Sequence, residues 1–214
     1  MLNTNLDLAI SDYVTVDFGA LVECIDLLGG IEMTITDDEA ILMLGYIEEI
    51  NKITGGRSEC PPSGGTYTLD GVQATAYARI RYGGGDDYRR TERQRAVLSA
   101  MVEKAQHSDL KTINRLIDQV FGDIQTSFSN ADLLSLAANM FHYSIGETGG
   151  FPFEKNTKRY EKEGDVVVPC DLSSNVTQLH AFLYGDTDYV PSDTVQQNST
   201  AIVQKTGFSK GDGF

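Results

Sequence analysis

Apolar residues follow two different periods along this chain, and the change from one period to the other marks the predicted elements. They recur at helical spacing in FGALVECIDLLGG and in TDDEAILMLGYIEEINKI, and they alternate with polar residues in IEMTI. Gly29 and Gly30 stop the first helix, and Thr36 or Asp37 is placed to cap the second. The stretch TYTLDGVQATAYARI then predicts a short strand, a turn and a helix, and an amphipathic helix follows from about Arg90 to Gln106.

The remaining segments continue this interleaving of strands and helices. Short strands are predicted for residues 7–15 and for IQTSFS. Helices are predicted for LKTINRLIDQVFGDI, NADLLSLAANMFHYSI, NVTQLHAFLYG and PSDTVQQNSTAIVQKTGF, and an extended segment with a charged turn for FPFEKNTKRYEKEGDVVVP. Interleaved strands and helices predict the α/β class.

No linker divides the chain clearly. The best candidate boundary is GETGGFP at residues 146–152. We therefore predict a single domain over residues 1–214, with a core of about 7–145 and a C-terminal extension of about 146–214.

The overall charge excludes some classes of partner. The formal net charge is −14, whereas a protein that binds nucleic acid nonspecifically usually presents a basic face. We therefore expect no nucleic-acid partner. The chain has no run of eighteen apolar residues, and its first residues, MLNTNLDLAISDY, lack the pattern of a signal peptide.

The three cysteines give no metal-binding pattern, because none of them is in CxxC spacing. Cys24 lies among apolar residues at helical spacing and is expected to be a buried free thiol. Cys60 and Cys170 lie in loop-like segments beside prolines, so a Cys60–Cys170 disulfide is one alternative and two free thiols are the other. We identify no metal-ligand set in the chain.

The arginines concentrate in one segment. Six of the nine lie in YARIRYGGGDDYRRTERQR, Tyr77–Arg95, and this segment contains no lysine. At 100° per residue the following helix places one set of residues on a single face, namely Arg90, Gln94, Val97, Leu98 and Met101, with Arg93 at its edge. Arg90 and Gln94 thus extend the apolar stripe toward the helix N-terminus, whereas Arg89 and Arg95 face the solvent.

Two interpretations of these arginines stay open at this point. Arg79 and Arg81 flank Ile80 and point to the same side if the backbone is extended, and guanidinium groups suit bidentate recognition of phosphate. Asp87 lies three residues before Arg90, where a carboxylate caps amides or orients a guanidinium. The segment is then an anion site for phosphate or pyrophosphate. Alternatively, the arginines pair with structural carboxylates in an internal salt-bridge network.

The same residues carry a resemblance to a known family. DGVQATAYARIRY followed by DDYRRTERQRAVLSAMVEK resembles the signature segment of the LytR-CpsA-Psr family, with matches at Tyr77, Arg79, Arg81, Asp87, Arg90, Arg93 and Gln94. YVTVDFGALVECIDLLGGIEMTI resembles the family's strand–helix–strand segment, with matches at Asp17, Phe18, Asp26, Gly29 and Gly30. We expect Asp26 to be a structural carboxylate near the glycine turn. TQLHAFLYGDTDYVPSDTV is similar to the C-terminal part of many members.

This resemblance implies a fold and an activity. The fold is a central mixed β-sheet flanked by helices in a three-layer α/β/α arrangement. The activity is a phosphotransferase at the extracytoplasmic face of the bacterial membrane, which moves a glycopolymer such as teichoic acid or capsule from a polyprenyl-pyrophosphate carrier onto peptidoglycan. The resemblance implies Mg²⁺ at the diphosphate.

It also assigns roles to residues of the arginine segment. Pyrophosphate is bound by Arg79, Arg81, Arg90, Arg93 and Gln94. Asp87 and Arg90 are the catalytic candidates, with Asp87 acting on the acceptor hydroxyl as a base or orienting Arg90.

The chain departs from the family pattern on its N-terminal side. The R-x-D-like and PRD-like segments, which supply the magnesium carboxylates, and the membrane anchor are not found in it, so the fold is expected to be incomplete there. A fragment or late-start gene model, a degenerate member that binds without catalysis, and a partner chain that supplies the missing strands are three explanations. Exposed sheet edge then favours a homodimer or strand exchange. A non-catalytic module for polyprenyl phosphate or anionic glycolipid is the alternative function, and transcriptional regulation is a weaker one.

Overall fold

A computed structural model describes residues 1–81, 86–120, 124–162 and 164–214, without the side chains of Asp86, Asp87 and Val120. In chain order its helices and strands are α1 (Leu2–Leu6), β1 (Val14–Thr15), α2 (Phe18–Leu27), β2 (Ile31–Ile35), α3 (Asp37–Thr54), β3 (Gly65–Leu69), α4 (Gly71–Arg79), α5 (Asp86–Gln106), α6 (Leu110–Val120), β4 (Gln125–Thr126), α7 (Asn130–Ala138), β5 (Lys155–Tyr160), β6 (Gly164–Pro169), α8 (Leu172–Tyr184) and α9 (Asp193–Thr206). A single 3₁₀ turn, Met140–His142, follows α7.

These elements form two units. One unit is Asp12–Thr148, here called the 12–148 unit. The other combines Met1–Ser11 with Gly149–Phe214, and is here called the C-terminal unit. The chain passes from one unit to the other after Ser11 and again after Thr148, and the second of these positions lies inside the stretch 146–152. Residues 7–11, which were predicted to belong to the core, are grouped with the C-terminal unit.

The core of the 12–148 unit lies between the β2–β3 hairpin and the helices α2, α3, α4 and α5. Strand β2 alternates strictly, so that Ile31, Met33 and Ile35 are buried while the residues between them are exposed. It pairs with β3 in antiparallel register from Ile31 opposite Leu69 to Ile35 opposite Gly65. Arg79 is the last residue of α4, so the start of the arginine segment is positioned by well-packed elements.

Local capping signals start helices α2, α3 and α4. Asp17 caps α2 through the N–H of Ala20 at 2.8 Å. Thr36 and Glu39 form a reciprocal capping box on α3, and Asp70 and Gln73 form another on α4. The glycine stop after α2 is also present, because Gly29 and Gly30 both have positive φ. These boundaries follow directly from the sequence pattern.

The C-terminal unit contains the antiparallel β5–β6 hairpin, helices α8 and α9, and the short helix α1. Asn175 is fully buried in it and makes a complete set of backbone hydrogen bonds, which includes the N–H groups of Phe153 and Glu154 at 2.8 and 3.0 Å. His180 stacks on Tyr189 at 3.6 Å between ring centroids.

The segment FPFEKNTKRYEKEGDVVVP, predicted to be extended with a charged turn, contains the antiparallel strands β5 and β6.

The α/β class is confirmed, but the described strands are arranged differently from the predicted central mixed sheet. Across the described residues they pair as three two-stranded antiparallel sheets, β1–β4, β2–β3 and β5–β6. The predicted strand at residues 7–15 is also wrong in extent, because only Val14 and Thr15 are in a strand. Strands β1 and β4 have two residues each. This short length limits the number of ladder hydrogen bonds that they form.

The cysteines are free thiols. Burial raises the pKa of each of the three. Cys60 donates from Sγ to the carbonyl of Ala40 at 3.2 Å, and Cys170 is fully buried. Cys60 and Cys170 are therefore two free thiols, and the alternative of a disulfide between them is wrong.

Candidate functional site

Arg79, the last residue of α4, is held on three sides. Its Nη2 lies 3.2 Å from each carboxylate oxygen of Glu49 on α3. Its guanidinium carbon lies 4.5 Å from the ring centroid of Phe18 and 5.5 Å from that of Tyr46. Its Nη1 is buried and has no hydrogen-bond partner in the described part of the chain. A buried guanidinium nitrogen without an acceptor is energetically costly.

The same guanidinium lines a cavity of about 330 Å³ among α2, α4 and α5. The lining is mainly apolar and includes Val16, Phe18, Leu21, Ala78, Val97, Leu98 and Met101. The polar residues of the lining include Arg79, Gln94 and Thr75. The Oγ1 of Thr75 is buried and has no hydrogen-bond partner among the described residues. An apolar cavity with a guanidinium in its wall suits a ligand that has a hydrocarbon part and an anionic part.

Helix α5 is rotated relative to the predicted orientation. Arg93 and Val97 face inward, with exposed fractions of 8% and 2%. Gln94 is exposed, and Leu98 has an exposed fraction of 56%. The prediction that Gln94 and Leu98 face the core while Arg93 lies at the edge is therefore wrong. The cause is a contact that periodicity does not include, the ion pair that draws Arg93 inward.

Arg93 joins three elements. Its Nε donates to the Glu39 carboxylate on α3 at 2.9 Å, and its Nη1 donates to the carbonyl of Ile80 at 3.3 Å. The guanidinium carbon lies 5.9 Å from the centroid of the Tyr77 ring. Burial raises the pKa of Glu39, but hydrogen bonds from Thr36 and Arg93 and the charge of Arg93 outweigh this effect, so the pKa lies below its ordinary value. Burial raises the pKa of Tyr77.

The other predicted site residues are less enclosed. Arg81 is exposed and Arg90 is partly buried, and both make contacts within the protein. The side chain of Asp87 lies outside the described residues, so its predicted role stays a prediction. Arg89 is exposed, as predicted, whereas Arg95 is partly buried.

The structure therefore divides the predicted set. Arg79 and Gln94 line the apolar cavity. Arg93 and Arg89 line a different groove of about 460 Å³, together with Thr36, Asp38 and Glu39. As the salt-bridge alternative expects, Arg79 pairs with an internal carboxylate, but one of its nitrogens keeps no partner among the described residues. The binding roles of these residues stay predictions.

Three side chains of the site were not predicted. Glu39 and Glu49 pair with Arg93 and Arg79, and Thr75 is among the residues that line the cavity. Glu39 had a sequence signal, because Thr36-x-x-Glu39 is the spacing of a capping box and fixes the carboxylate at the start of α3. We find no comparable local signal for Glu49 or Thr75.

Asp26 is structural, as predicted, because its carboxylate accepts a hydrogen bond from the N–H of Gly71 at 2.7 Å. Within the described ranges, no three His, Cys, Asp or Glu side chains come together as metal ligands. The helices in that part of the chain are also too short or too polar to span a lipid bilayer.

Comparison with known proteins agrees with the predicted family. The model of the LytR_cpsA_psr family matches residues 1–148. The chain is 30% identical over 132 residues to the polyisoprenyl-teichoic acid–peptidoglycan teichoic acid transferase TagT of Bacillus subtilis (strain 168). This match covers 61% of the present chain and 38% of TagT, so the chain matches well under half the length of that relative.

Solved structures resemble the fold as well. A protein described as a transcriptional regulator from Enterococcus faecalis superposes with a TM-score of 0.66 at 21% identity, covering 98% of this chain and 72% of that one. A structure of TagT bound to LI-WTA superposes with a TM-score of 0.52 at 21% identity, covering 96% of this chain and 64% of that one. At these identities the superpositions show the fold alone. From the family match over most of its length, this chain belongs to the LytR-CpsA-Psr family.

Proposed function

We propose that this chain binds a polyprenyl-pyrophosphate-linked glycopolymer and takes part in its transfer to peptidoglycan at the cell envelope. One observation carries the proposal. Arg79 lines an apolar cavity of about 330 Å³, and its Nη1 is buried without a partner among the described residues. The cavity suits the hydrocarbon next to the pyrophosphate, and the guanidinium suits the pyrophosphate itself.

The electrostatics of the site support an anionic ligand. Arg79 is already paired with Glu49, but that carboxylate is half exposed, with an exposed fraction of 51%, so water screens it. Nη1 is buried and has no partner among the described residues, and the lower local dielectric there would strengthen a hydrogen bond to a phosphate that reaches it. Phe18 and Tyr46 keep the guanidinium plane in place, which favours bidentate contacts.

The proposed reaction is a phosphoryl transfer. The acceptor oxygen forms a bond to the phosphorus that carries the glycopolymer, and the bond from this phosphorus to the bridging oxygen breaks, so polyprenyl phosphate leaves. Arg79, Arg81 and Arg90 neutralise charge on the phosphates, and Gln94 contributes an amide at the cavity. Asp87 takes the proton of the acceptor hydroxyl in this proposal.

Mg²⁺ belongs to the family resemblance, and the described residues do not fit a magnesium site. No three carboxylate, histidine or cysteine side chains converge in that part of the chain. No step of the proposal is therefore derived through the metal, and Mg²⁺ enters only as a component of the assay.

The class of glycopolymer follows from the relatives. TagT is named as a transferase of teichoic acid to peptidoglycan, so we propose teichoic acid before capsule as the polymer. We place the reaction at the extracytoplasmic face of the membrane, where its lipid carrier and peptidoglycan meet.

The proposal includes association as a homodimer or by strand exchange. It is supported by exposed apolar residues in and beside β1, namely Tyr13, Val14 and Val16, which lie at a sheet edge.

Binding of a polyprenyl pyrophosphate tests the proposal. We expect Arg79→Ala to weaken binding by about tenfold or more, because a charge-assisted hydrogen bond to a phosphate is lost. Arg159→Ala is the matched control, since this arginine is exposed in the C-terminal unit and its contact with Asp165 is 3.8 Å long. The titration is run by calorimetry with and without Mg²⁺. Equal affinity of Arg79→Ala and wild type under both conditions would contradict the proposal.

A non-catalytic binding module is the second candidate function. It is favoured by the pairing of Arg79 with Glu49 within the protein. A transfer assay with lipid-linked polymer and peptidoglycan separates the two candidates, because a binding module retains affinity but releases no polyprenyl phosphate. Regulation of transcription is the weaker alternative, and the net charge of −14 disfavours contact with DNA.

A further inference from the structure

Arg93 does not line the apolar cavity, and its buried guanidinium binds other groups of the protein. Its side chain has an exposed fraction of 9%, and that of its partner Glu39 has 15%. Burying a guanidinium is unfavourable unless its hydrogen bonds and charge are satisfied. Arg93 meets this condition through the Glu39 carboxylate at 2.9 Å and the Ile80 carbonyl at 3.3 Å.

The carbonyl that Arg93 binds belongs to Ile80, the residue that caps the C-terminal end of α4. Ile80 lies between Arg79 and Arg81 and follows the last residue of α4, with φ −52° and ψ 122°. The last carbonyls of a helix have no partner within the helix, so their direction depends on external donors. Arg93 supplies such a donor, and it thereby holds the peptide group between Ile80 and Arg81.

Glu39 holds Arg93 in turn. One of its carboxylate oxygens accepts hydrogen bonds from the N–H and the hydroxyl of Thr36, at 3.0 and 3.2 Å. The other oxygen accepts from Arg93. The start of α3 thus fixes the carboxylate, the carboxylate fixes the guanidinium, and the guanidinium fixes the Ile80 carbonyl.

We propose that Glu39 and Arg93 are positioning residues that set the separation of the Arg79 and Arg81 guanidiniums for a ligand with two phosphates. They act through the Ile80 carbonyl and do not contact the ligand. This inference rests on the proposed function. It also changes the role of Arg93 from the direct pyrophosphate contact implied by the family resemblance to an indirect one.

A positioning role has a consequence that a general loss of stability lacks. Inorganic pyrophosphate spans two guanidiniums, so its affinity depends on their separation. Inorganic phosphate occupies one position and does not depend on that separation. Disturbing Glu39 or Arg93 should therefore lower the preference for pyrophosphate over phosphate, while lowered stability alone leaves this preference unchanged.

The test measures both anions by calorimetry on the full chain, with thermal unfolding of every variant recorded beforehand. Arg93→Lys keeps the charge but cannot make the two separate contacts of the planar guanidinium. Glu39→Gln keeps the size and removes the charge. We expect each variant to lower pyrophosphate affinity about tenfold and to leave phosphate affinity within about twofold of wild type. Asp165→Asn, in the exposed pair with Arg159, is the control and should change neither affinity.

The outcomes separate this inference from the proposed function. If both variants keep the full preference of the wild type, or lose affinity for both anions equally, the positioning role is wrong. If the wild type itself shows no preference for pyrophosphate, or if Arg79→Ala binds as well as wild type, the proposed function is wrong. Lys at position 93 and Gln at position 39 are conservative replacements, so the comparison does not need Arg93→Ala, which would leave the partly buried Glu39 carboxylate without its positive partner.

Discussion

The carboxylate of Asp26, in the last turn of α2, accepts a 2.7 Å hydrogen bond from the backbone N–H of Gly71, the first residue of α4. This N–H is one of the donors that a helix start leaves without an intrahelical partner. The bond therefore joins the two helices that form one wall of the apolar cavity.

Gly71 also permits the close approach of these helices. A Cβ at this position would lie 2.1 Å from the carbonyl oxygen of Val22 in α2. We expect Gly71→Ala to lower the free energy of unfolding by about 1–3 kcal/mol, because the helices must move apart. Gly45→Ala in α3 is the control, since a Cβ there meets nothing within 4 Å, and it should stabilise by about 0.5–1 kcal/mol. Urea denaturation measures both, and equal stability of Gly71→Ala and wild type would show that the close contact is absent.

Asp26→Ala tests the hydrogen bond by itself. The Gly71 N–H loses its side-chain acceptor, so we expect the free energy of unfolding to fall by about 1–2 kcal/mol. Asp26→Asn keeps an acceptor oxygen and should lose less. The affinity for inorganic pyrophosphate should stay at the wild-type level in both, because Asp26 is structural. A selective loss of pyrophosphate affinity in the Asn variant would instead assign Asp26 to the anion site.

The Glu39–Arg93 pair predicts a dependence of stability on pH. The pKa of Glu39 is lowered in the folded protein, so its contribution is complete above the unfolded-state pKa and is lost as the pH falls through the folded-state pKa. We expect wild type to lose stability from about pH 5 downward, and Glu39→Gln to lose less over the same range. Urea denaturation at a series of pH values measures this. Parallel curves for the two proteins would mean that Glu39 does not contribute.

The cavity predicts a variant that separates hydrocarbon binding from phosphate binding. Leu98 lines the cavity and is 56% exposed, so Leu98→Ser should leave the fold intact. We expect it to weaken polyprenyl pyrophosphate binding about threefold or more and to leave inorganic pyrophosphate binding unchanged, since it removes apolar contact area alone. Ile41→Ser on α3 is the control, because Ile41 is more exposed and does not line this cavity. Equal effects of the two substitutions would argue against a hydrocarbon in the cavity.

Most helices of the 12–148 unit could be predicted from the sequence because their signals are local. The Thr36–Glu39 capping box, the Asp17 cap and the Gly29-Gly30 stop each act within a few residues of the boundary that they define. The alternation in IEMTI likewise predicted which side chains of β2 are buried.

The orientation of α5 could not be predicted in this way. Helical periodicity places Leu98 and Gln94 inside, because it counts apolar side chains and has no information on a carboxylate 54 residues away. The Glu39–Arg93 ion pair draws a charged residue into the core and turns the apolar Leu98 toward the cavity. Strand pairing was missed for a similar reason, because β1 meets β4 across more than a hundred residues.

The composition of the C-terminal unit has a consequence for the order of folding during synthesis. Asp7 accepts hydrogen bonds from both the N–H and the hydroxyl of Ser192, each at 2.7 Å, across 185 positions of the chain. The 12–148 unit is continuous and can fold once residue 148 has left the ribosome, whereas contacts over such separations form slowly. Residues 1–11 therefore reach these contacts only after the segment around Ser192, which follows the 12–148 unit, has been synthesised.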